Sequence, residues 1–280
     1  MTADPLFAVR RGQAPLLISI PHLGTRIPDD LKDVYTDDAL LLADTDWHLD
    51  RLYAFARQLD ATVVQANVSR YVIDLNRPAS GESLYPGMVT TSLCPSETFR
   101  GQALYRSGME PDSAEVARRV QVFWRPYHAA LQHELTRLRK EHAHVLLWEA
   151  HSIASLLPRL FAGKLPDLNF GTSDGESCHE RVIAGALKPA RTSPFTWVLN
   201  GRFKGGFITR KYGTPADGVH AVQLEMCQSV YMDEHPPFGW REDLAKGASD
   251  TVRACIEGAL EGLLLLPASD KSRHADILAG

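Results

Sequence analysis

The chain reads as an α/β protein, a three-layer αβα arrangement with a twisted, mixed but mostly parallel sheet. Two observations predict this. Short apolar runs at Leu16–Ile20, Thr62–Ala66, 145–148 and 221–224 have the length of buried strands, and segments with helical spacing of apolar residues lie between them. Strands alternating with helices imply a parallel sheet covered on both faces. A third observation concerns function. Three of the runs open onto polar clusters, Pro21-His22-Leu23-Gly24, then Glu149-Ala150-His151-Ser152 and Glu225, and Asp74-Leu75-Asn76-Arg77 follows a further short run at 71–73. Ligands of open α/β sheets bind at the carboxyl ends of the strands, so these clusters predict one shared site.

The elements follow in order. Leu16–Ile20 is bounded by Pro15 and Pro21 as a buried strand, and a loop containing Gly24 and Pro28 comes next. Residues 37–59 carry Leu41, Leu42, Leu49, Leu52, Phe55, Ala56 and Leu59 at helical spacings behind the acidic start Asp37-Asp38, which predicts a helix. Thr62–Ala66 and 71–73 predict two strands joined by a tight connection. Residues 78–111 are rich in Pro, Gly, Ser and Thr, and a long irregular segment of this kind commonly lines a site. Residues 113–142 form an amphipathic helix with Val116, Val120, Phe123, Tyr127, Leu131, Leu135 and Leu138 as its stripe, with a break expected before Pro126. A strand at 145–148, a helix at 177–187, strands at 195–199, 207–209 and 221–224, and a closing helix at 242–265 complete the pattern. The whole of 1–280 is expected to be a single catalytic domain with a loosely held polar tail at 268–280.

Apolar residues make up 44% and charged residues 23% of the 280 positions, ordinary values that allow a sizeable core. A net charge of −4 argues against general affinity for nucleic acid or an anionic membrane, and the expected partner is a small acidic molecule. The first thirteen residues have no apolar secretory core, and the longest aliphatic run, at 263–266, is too short to span a bilayer. Cys94, Cys178, Cys227 and Cys255 show no metal-site or disulfide spacing, which suits buried or partly buried thiols in a reducing cytoplasm.

His22 and His151, each at a strand end, are candidate metal ligands, because a catalytic zinc takes about three His and carboxylate ligands and keeps a position open. A backbone-bonded loop histidine is the plain alternative for either. The third ligand is then a carboxylate from Asp44-Thr45-Asp46-Trp47-His48-Leu49-Asp50. Asp46 is chosen because it sits where the apolar stripe gives way, with Asp44, Asp50 and His48 as alternatives. Asn76 and Arg77 suit a substrate carboxylate, since Arg presents a planar fork and Asn a neutral donor; Arg77 pairing with Asp74 is the structural alternative. Glu225 ends an apolar run, where a carboxylate is costly unless used, and with a raised pKa it would serve as a general base. Arg202, Lys204, Arg210 and Tyr212, among several glycines, suit a dianionic substrate or form a basic surface loop. His128, on the inner stripe of a helix, is read as a core histidine.

Taken together, Ser19-Ile20-Pro21-His22-Leu23-Gly24, Arg70 with Asp74-Leu75-Asn76-Arg77, His151-Ser152, Gly205-Gly206 with Tyr212-Gly213, and Gln223-Leu224-Glu225 resemble the N-formylglutamate amidohydrolase (deformylase) family in kind and order. The resemblance covers roughly residues 16–232. It implies the fold of zinc-dependent exopeptidases and aspartoacylase-like deacylases, and metal-dependent release of formate from N-formyl-L-glutamate in histidine breakdown. It also implies that Arg70 polarises the scissile carbonyl, that Asn76 and Arg77 grip the substrate carboxylate, and that Glu225 is the general base. The implied cofactor is Zn²⁺, with manganese or cobalt as alternatives. In one respect the chain departs from the wider group: where those proteins place a Glu three residues after the first ligand histidine, this sequence has Thr25. Another N-acyl amino acid, or a peptide, is the rival substrate.

Overall fold

The computed structural model describes residues 5–82 and 91–267, so part of the loop expected at 78–111 and the tail expected at 268–280 lie outside the described residues. Seven strands, β1 (Phe7–Arg10), β2 (Leu16–Ile20), β3 (Thr62–Ala66), β4 (Val145–Ile153), β5 (Leu168–Gly171), β6 (Trp197–Leu199) and β7 (Val219–Cys227), form one sheet in the order β1-β3-β2-β4-β7-β5-β6. The central pairs β3–β2, β2–β4 and β4–β7 are parallel, as is β5–β6; β1–β3 and β5–β7 are antiparallel. The helices are α1 (Leu49–Leu52), α2 (Ser113–Arg119), α3 (Arg125–Glu141), α4 (Glu180–Thr192), α5 (Phe207–Tyr212) and α6 (Glu242–Leu264).

Alternation along the strands sorts the core into two layers. Leu16, Ile18 and Ile20 of β2 and Leu146, Trp148 and Ala150 of β4 pack with α4 and α6 on one face. Leu17 of β2, Leu147 of β4 and Ala221 of β7 pack with Tyr127, Leu131 and Leu135 of α3 and Ile208 of α5 on the other. Helices therefore cover both faces, the arrangement that buries nine-residue β4 and β7 along their entire length. No helix among the described residues is long and apolar enough to cross a membrane.

Several elements differ from the sequence expectation. The single helix at 37–59 is instead a string of short pieces, 3₁₀ turns at Ala39–Leu41 and Ala54–Arg57 flanking α1, with Leu42 (φ 54°) and His48 (φ 62°) in the left-handed region that stops a helix. Residues 71–73 make no ladder. The carbonyls of Tyr71 and Val72 accept from the Tyr35 hydroxyl and the Arg119 guanidinium, so side chains take the place of a neighbouring strand. The break expected before Pro126 is a π turn over Val120–Trp124, which accommodates the proline's missing N–H at the start of α3. Residues 207–209 are helical, and β1 and β5 join the sheet although their short runs carried no clear signal.

Candidate active site

The registered pairing of β4 with β7 sets Leu147 opposite Ala221, Glu149 opposite Gln223 and His151 opposite Glu225. These six residues share one face of the sheet, which thus changes from apolar to polar toward its carboxyl end. His22 follows β2 directly, and its carbonyl accepts the Asp46 N–H at 3.0 Å, which brings the loop before α1 against the same end of the sheet. Gly24 packs on the β3–Val68 connection, where an added Cβ would fall 2.2 Å from the Val68 carbonyl oxygen; its role is backbone contact rather than approach to a ligand.

Ligand atoms of His22, Asp46 and His151 lie within 4.8 Å of one another, and all three residues are buried. Asp46 Oδ2 is 3.1 Å from His151 Nδ1 and 3.8 Å from His22 Nδ1, and it also accepts the Ser152 N–H. The far ring nitrogens point away from this centre, His22 Nε2 to Asp74 at 2.8 Å and His151 Nε2 to Glu149 at 2.7 Å. Both Nδ1 atoms therefore face Asp46. His22 Nδ1 and Asp46 Oδ1 are buried without a hydrogen-bond partner, which is a costly state for two acceptors unless a cation belongs between them. Two imidazoles and one carboxylate are donors of the kinds that bind zinc, and they fit other divalent ions as well. The alternatives point elsewhere: Asp44 accepts the Phe99 N–H, His48 Nε2 bonds the Phe238 carbonyl, and Asp50 is exposed.

Electrostatics follow the same layout. Burial, with the positive charge of Arg70, pushes His22 below its usual pKa against the pull of Asp74 and Asp46, which leaves a neutral ring. Burial also opposes charge on His151, but its hydrogen bonds to Asp46 and Glu149 hold its pKa well above the ordinary value. Burial pushes Glu225 up to about 8, offset by His151 and reinforced by Asp46. Arg70 donates to Asp74 Oδ2 at 2.7 Å, lies 3.9 Å from Asp46 Oδ1 and stacks over Phe99. Although burial favours its neutral form, Asp74 and Asp46 keep it charged.

His22, Arg70, Asn76, Arg77, His151 and Glu225 line one cleft, and Arg202 closes it beside Phe203. Asn76 Oδ1 accepts the Ile208 N–H at 2.9 Å, turning its NH₂ toward His151 Nε2 at 3.0 Å. The Asp74 carboxylate is taken by His22, Arg70 and the Asn76 N–H, while the Arg77 guanidinium reaches the Thr91 hydroxyl and Arg77 bonds Asp74 through its backbone N–H on the Asp74 carbonyl. Three of the expected substrate contacts lie outside this lining. Lys204 pairs with Asp174 at the surface and Arg210 bonds the Gly205 carbonyl. Tyr212 is packed in the second core layer, with its hydroxyl on His128 Nδ1; the glycines that suggested a ligand loop instead let the chain turn into α5. His128 is a core histidine with both nitrogens bonded. Sequence reading gave no role to Glu149, Gln223 or Thr209. A carboxylate at the end of an apolar run was the available signal for Glu149, and Gln223 had its place in the Gln223-Leu224-Glu225 motif; Thr209 had none.

Comparisons with known proteins bear on the family and the fold. Residues 14–232 match the family described as N-formylglutamate amidohydrolase. The chain is 48% identical over 259 residues to the N-formylglutamate deformylase of Pseudomonas putida, covering 92% of this chain and 96% of that one. It is 47% identical to the Pseudomonas aeruginosa deformylase, covering 92% and 97%. Among solved structures, N-formylglutamate amidohydrolase from Ralstonia eutropha JMP134 superposes with a TM-score of 0.78 at 24% identity, covering 90% of this chain and 96% of that one. A gene product of Agrobacterium tumefaciens superposes with a TM-score of 0.67 at 18% identity over 93% and 96% of the chains, and at such identities the likeness speaks for the fold. With the family match spanning most of its length and two relatives near half identical over nine-tenths of it, the chain belongs to the N-formylglutamate amidohydrolase family.

Proposed function

We propose that the protein hydrolyses N-formyl-L-glutamate to formate and L-glutamate, using a divalent ion, zinc foremost, held by His22, Asp46 and His151. The observation that carries this reading is the buried triad with two unpartnered acceptors, set beside Glu225 in a cleft that also presents Arg77 and Arg202. The relatives named as N-formylglutamate deformylases support the substrate. Two arginines beyond the one held by Asp74 and Asp46 suit a substrate with two carboxylates better than one with a single carboxylate.

When bound, such an ion supplies Lewis acidity, lowering the pKa of water and polarising the formyl oxygen. Asn76 and Arg77 hold the substrate carboxylate, with the Asn76 amide fixed by Ile208 so that its NH₂ faces inward. Arg70, locked by Asp74, donates to the developing oxyanion without moving. Glu225 removes the proton from the attacking water and returns it to the amine nitrogen as the C–N bond breaks, so that formate and an amino group leave. Nearby positive charge would lower the Glu225 pKa from its metal-free value and favour the ionised base. The four free thiols suit a reducing compartment, and we place the reaction in the cytoplasm, as a closing step of histidine breakdown, a role that rests on the family resemblance.

Metal analysis of protein purified without chelator, with turnover of N-formylglutamate, N-acetylaspartate and a short peptide, tests the reading. A stoichiometric divalent ion and fastest turnover of N-formylglutamate are expected. Absence of metal in active enzyme refutes the triad's role, and faster turnover of either competitor refutes the substrate.

A further inference from the structure

His151 Nε2 stands between two groups that ask opposite things of it. Glu149 Oε1, an acceptor, is 2.7 Å away; the Asn76 NH₂, a donor, is 3.0 Å away. Asn76 cannot turn its oxygen inward instead, because Oδ1 is held by the Ile208 N–H. Were the donor to prevail, Nε2 would offer its lone pair to Asn76, and the ring proton would sit on Nδ1, the nitrogen that faces Asp46. Only the carboxylate keeps the hydrogen on Nε2, which leaves Nδ1 as the nitrogen that can give up its proton and turn a lone pair to the centre.

Glu149 is itself held. It is fully buried in β4, and its second oxygen, Oε2, accepts both the backbone N–H of Thr209, at 2.9 Å, and the Thr209 hydroxyl. Those two donors require an oxygen at that place, so the group left for His151 is the other oxygen. We infer that Glu149, locked by Thr209, is the positioning residue that selects the metal-binding tautomer of His151 against the competing amide of Asn76. Metal ligation by histidine commonly depends on such a carboxylate behind the ring, and loss of the partner weakens affinity about 10–100-fold. The conflict with Asn76 makes the dependence specific here. α5 thereby serves both halves of the site, since its first turn pins the Asn76 amide through Ile208 and the Glu149 carboxylate through Thr209.

The inference rests on the metal-binding reading of the triad. Its test is Glu149→Gln, whose amide oxygen must go to the Thr209 donors, so that its NH₂ faces His151 Nε2 and meets a second donor whenever Nδ1 is engaged. Zn²⁺ is titrated into the metal-free protein against a chelating indicator, and metal-free melting temperatures are compared. An affinity loss of about 10–100-fold, with the metal-free melting temperature within a few degrees of wild type, is expected. A merely structural Glu149 would lower the melting temperature and leave the affinity of the folded fraction unchanged, and that result overturns the inference. If Glu149→Gln does not fold, Thr209→Val, which removes one of two anchors, decides: a loss of about threefold to tenfold supports the inference and an unchanged affinity ends it. A wild-type protein that binds no Zn²⁺ removes the metal reading and the inference together, whereas equal binding by wild type and Glu149→Gln removes the inference alone.

Discussion

Replacing Glu225 with Gln should make the enzyme slower and the metal-free protein more stable, and the two effects have separate origins. Glu225 is buried, and burial pushes its pKa up to about 8 in the metal-free fold, against an ordinary value of 4.5. A folded pKa above the unfolded one means the folded state binds more protons, so the group destabilises progressively as pH rises from 4.5 through about 8. At pH 7 the unfolded chain has lost this proton and the folded chain mostly keeps it. A gap of about 2.5 pH units at about 1.36 kcal/mol each then corresponds to roughly 3 kcal/mol. Gln keeps the shape without the titration, and should recover up to about 3 kcal/mol, or roughly 5–10 °C in melting temperature for a chain of this size. The same change removes the proposed base, so kcat should fall about 10²–10⁴-fold while metal content and KM stay near wild type. Scanning fluorimetry of chelator-treated protein at pH 5 and 7.5, beside steady-state kinetics of the loaded enzyme, reads both. A stability gain equal at the two pH values would refute the buried-carboxylate argument, and a kcat loss below tenfold would refute the base.

His22→Ala and His151→Ala should each abolish bound metal and activity together; stoichiometric metal in either variant takes that residue out of the ligand set. Arg77→Ala should cost about 2–4 kcal/mol in kcat/KM, chiefly as a higher KM, because a carboxylate loses its paired donor in a sheltered cleft. A sharp fall in melting temperature with KM unchanged would make Arg77 structural. Gly206→Ala sets a Cβ 2.2 Å from Asn76 Nδ2, and the displacement should cost about 1–3 kcal/mol of stability and roughly 10²-fold in kcat/KM. Wild-type kinetics from that variant would show that the Asn76 position is not critical. Burial depresses both His128 and His220 to about 4, from 6.5. The unfolded chain therefore binds more protons between these values, and stability present above pH 6.5 should be lost as pH falls toward 4, by up to about 3 kcal/mol per histidine. Urea unfolding across that range should show the slope, and His128→Gln should flatten it by close to one proton; an unchanged slope rules His128 out.

The parts of the fold legible in the sequence were those whose burial is complete. β2 and the cores of β4 and β7 are largely apolar and buried, β3 is buried at all but Gln65, and the apolar stripe of α2 and α3 continues across the π turn. What escaped was structure set by partners distant in sequence. Residues 71–73 have the composition of a strand, yet Tyr35 and Arg119 satisfy their carbonyls; residues 207–209 look extended, yet Asn76 and Glu149 accept the first-turn amides of α5. In both places side chains from elsewhere supply what a neighbouring strand would have supplied, and local propensity gives way.

The same reasoning separates the site residues. His22, His151, Asn76 and Arg77, which the structure brings to one cleft, could be singled out because a polar cluster at the end of an apolar run needs a reason to be there. The basic stretch at 202–212 left two readings open, since charge on a glycine-rich loop is compatible with solvent, and of its four named candidates Arg202 is the one that lines the cleft. Glu149 is the instructive case. The apolar run was expected to stop at Trp148, which made Glu149 the first residue of a loop, but β4 continues to Ile153 with every residue buried. A carboxylate in the interior of such a strand costs several kcal/mol unless it is bonded on all sides. Glu149 meets that condition through His151 and Thr209, whereas Glu225, two strand positions beyond Gln223 on the neighbouring strand, stands among charges with no equivalent set of anchors among the described residues. On the proposed mechanism, one buried carboxylate holds a ring in place, and the other, with its pKa raised, exchanges a proton.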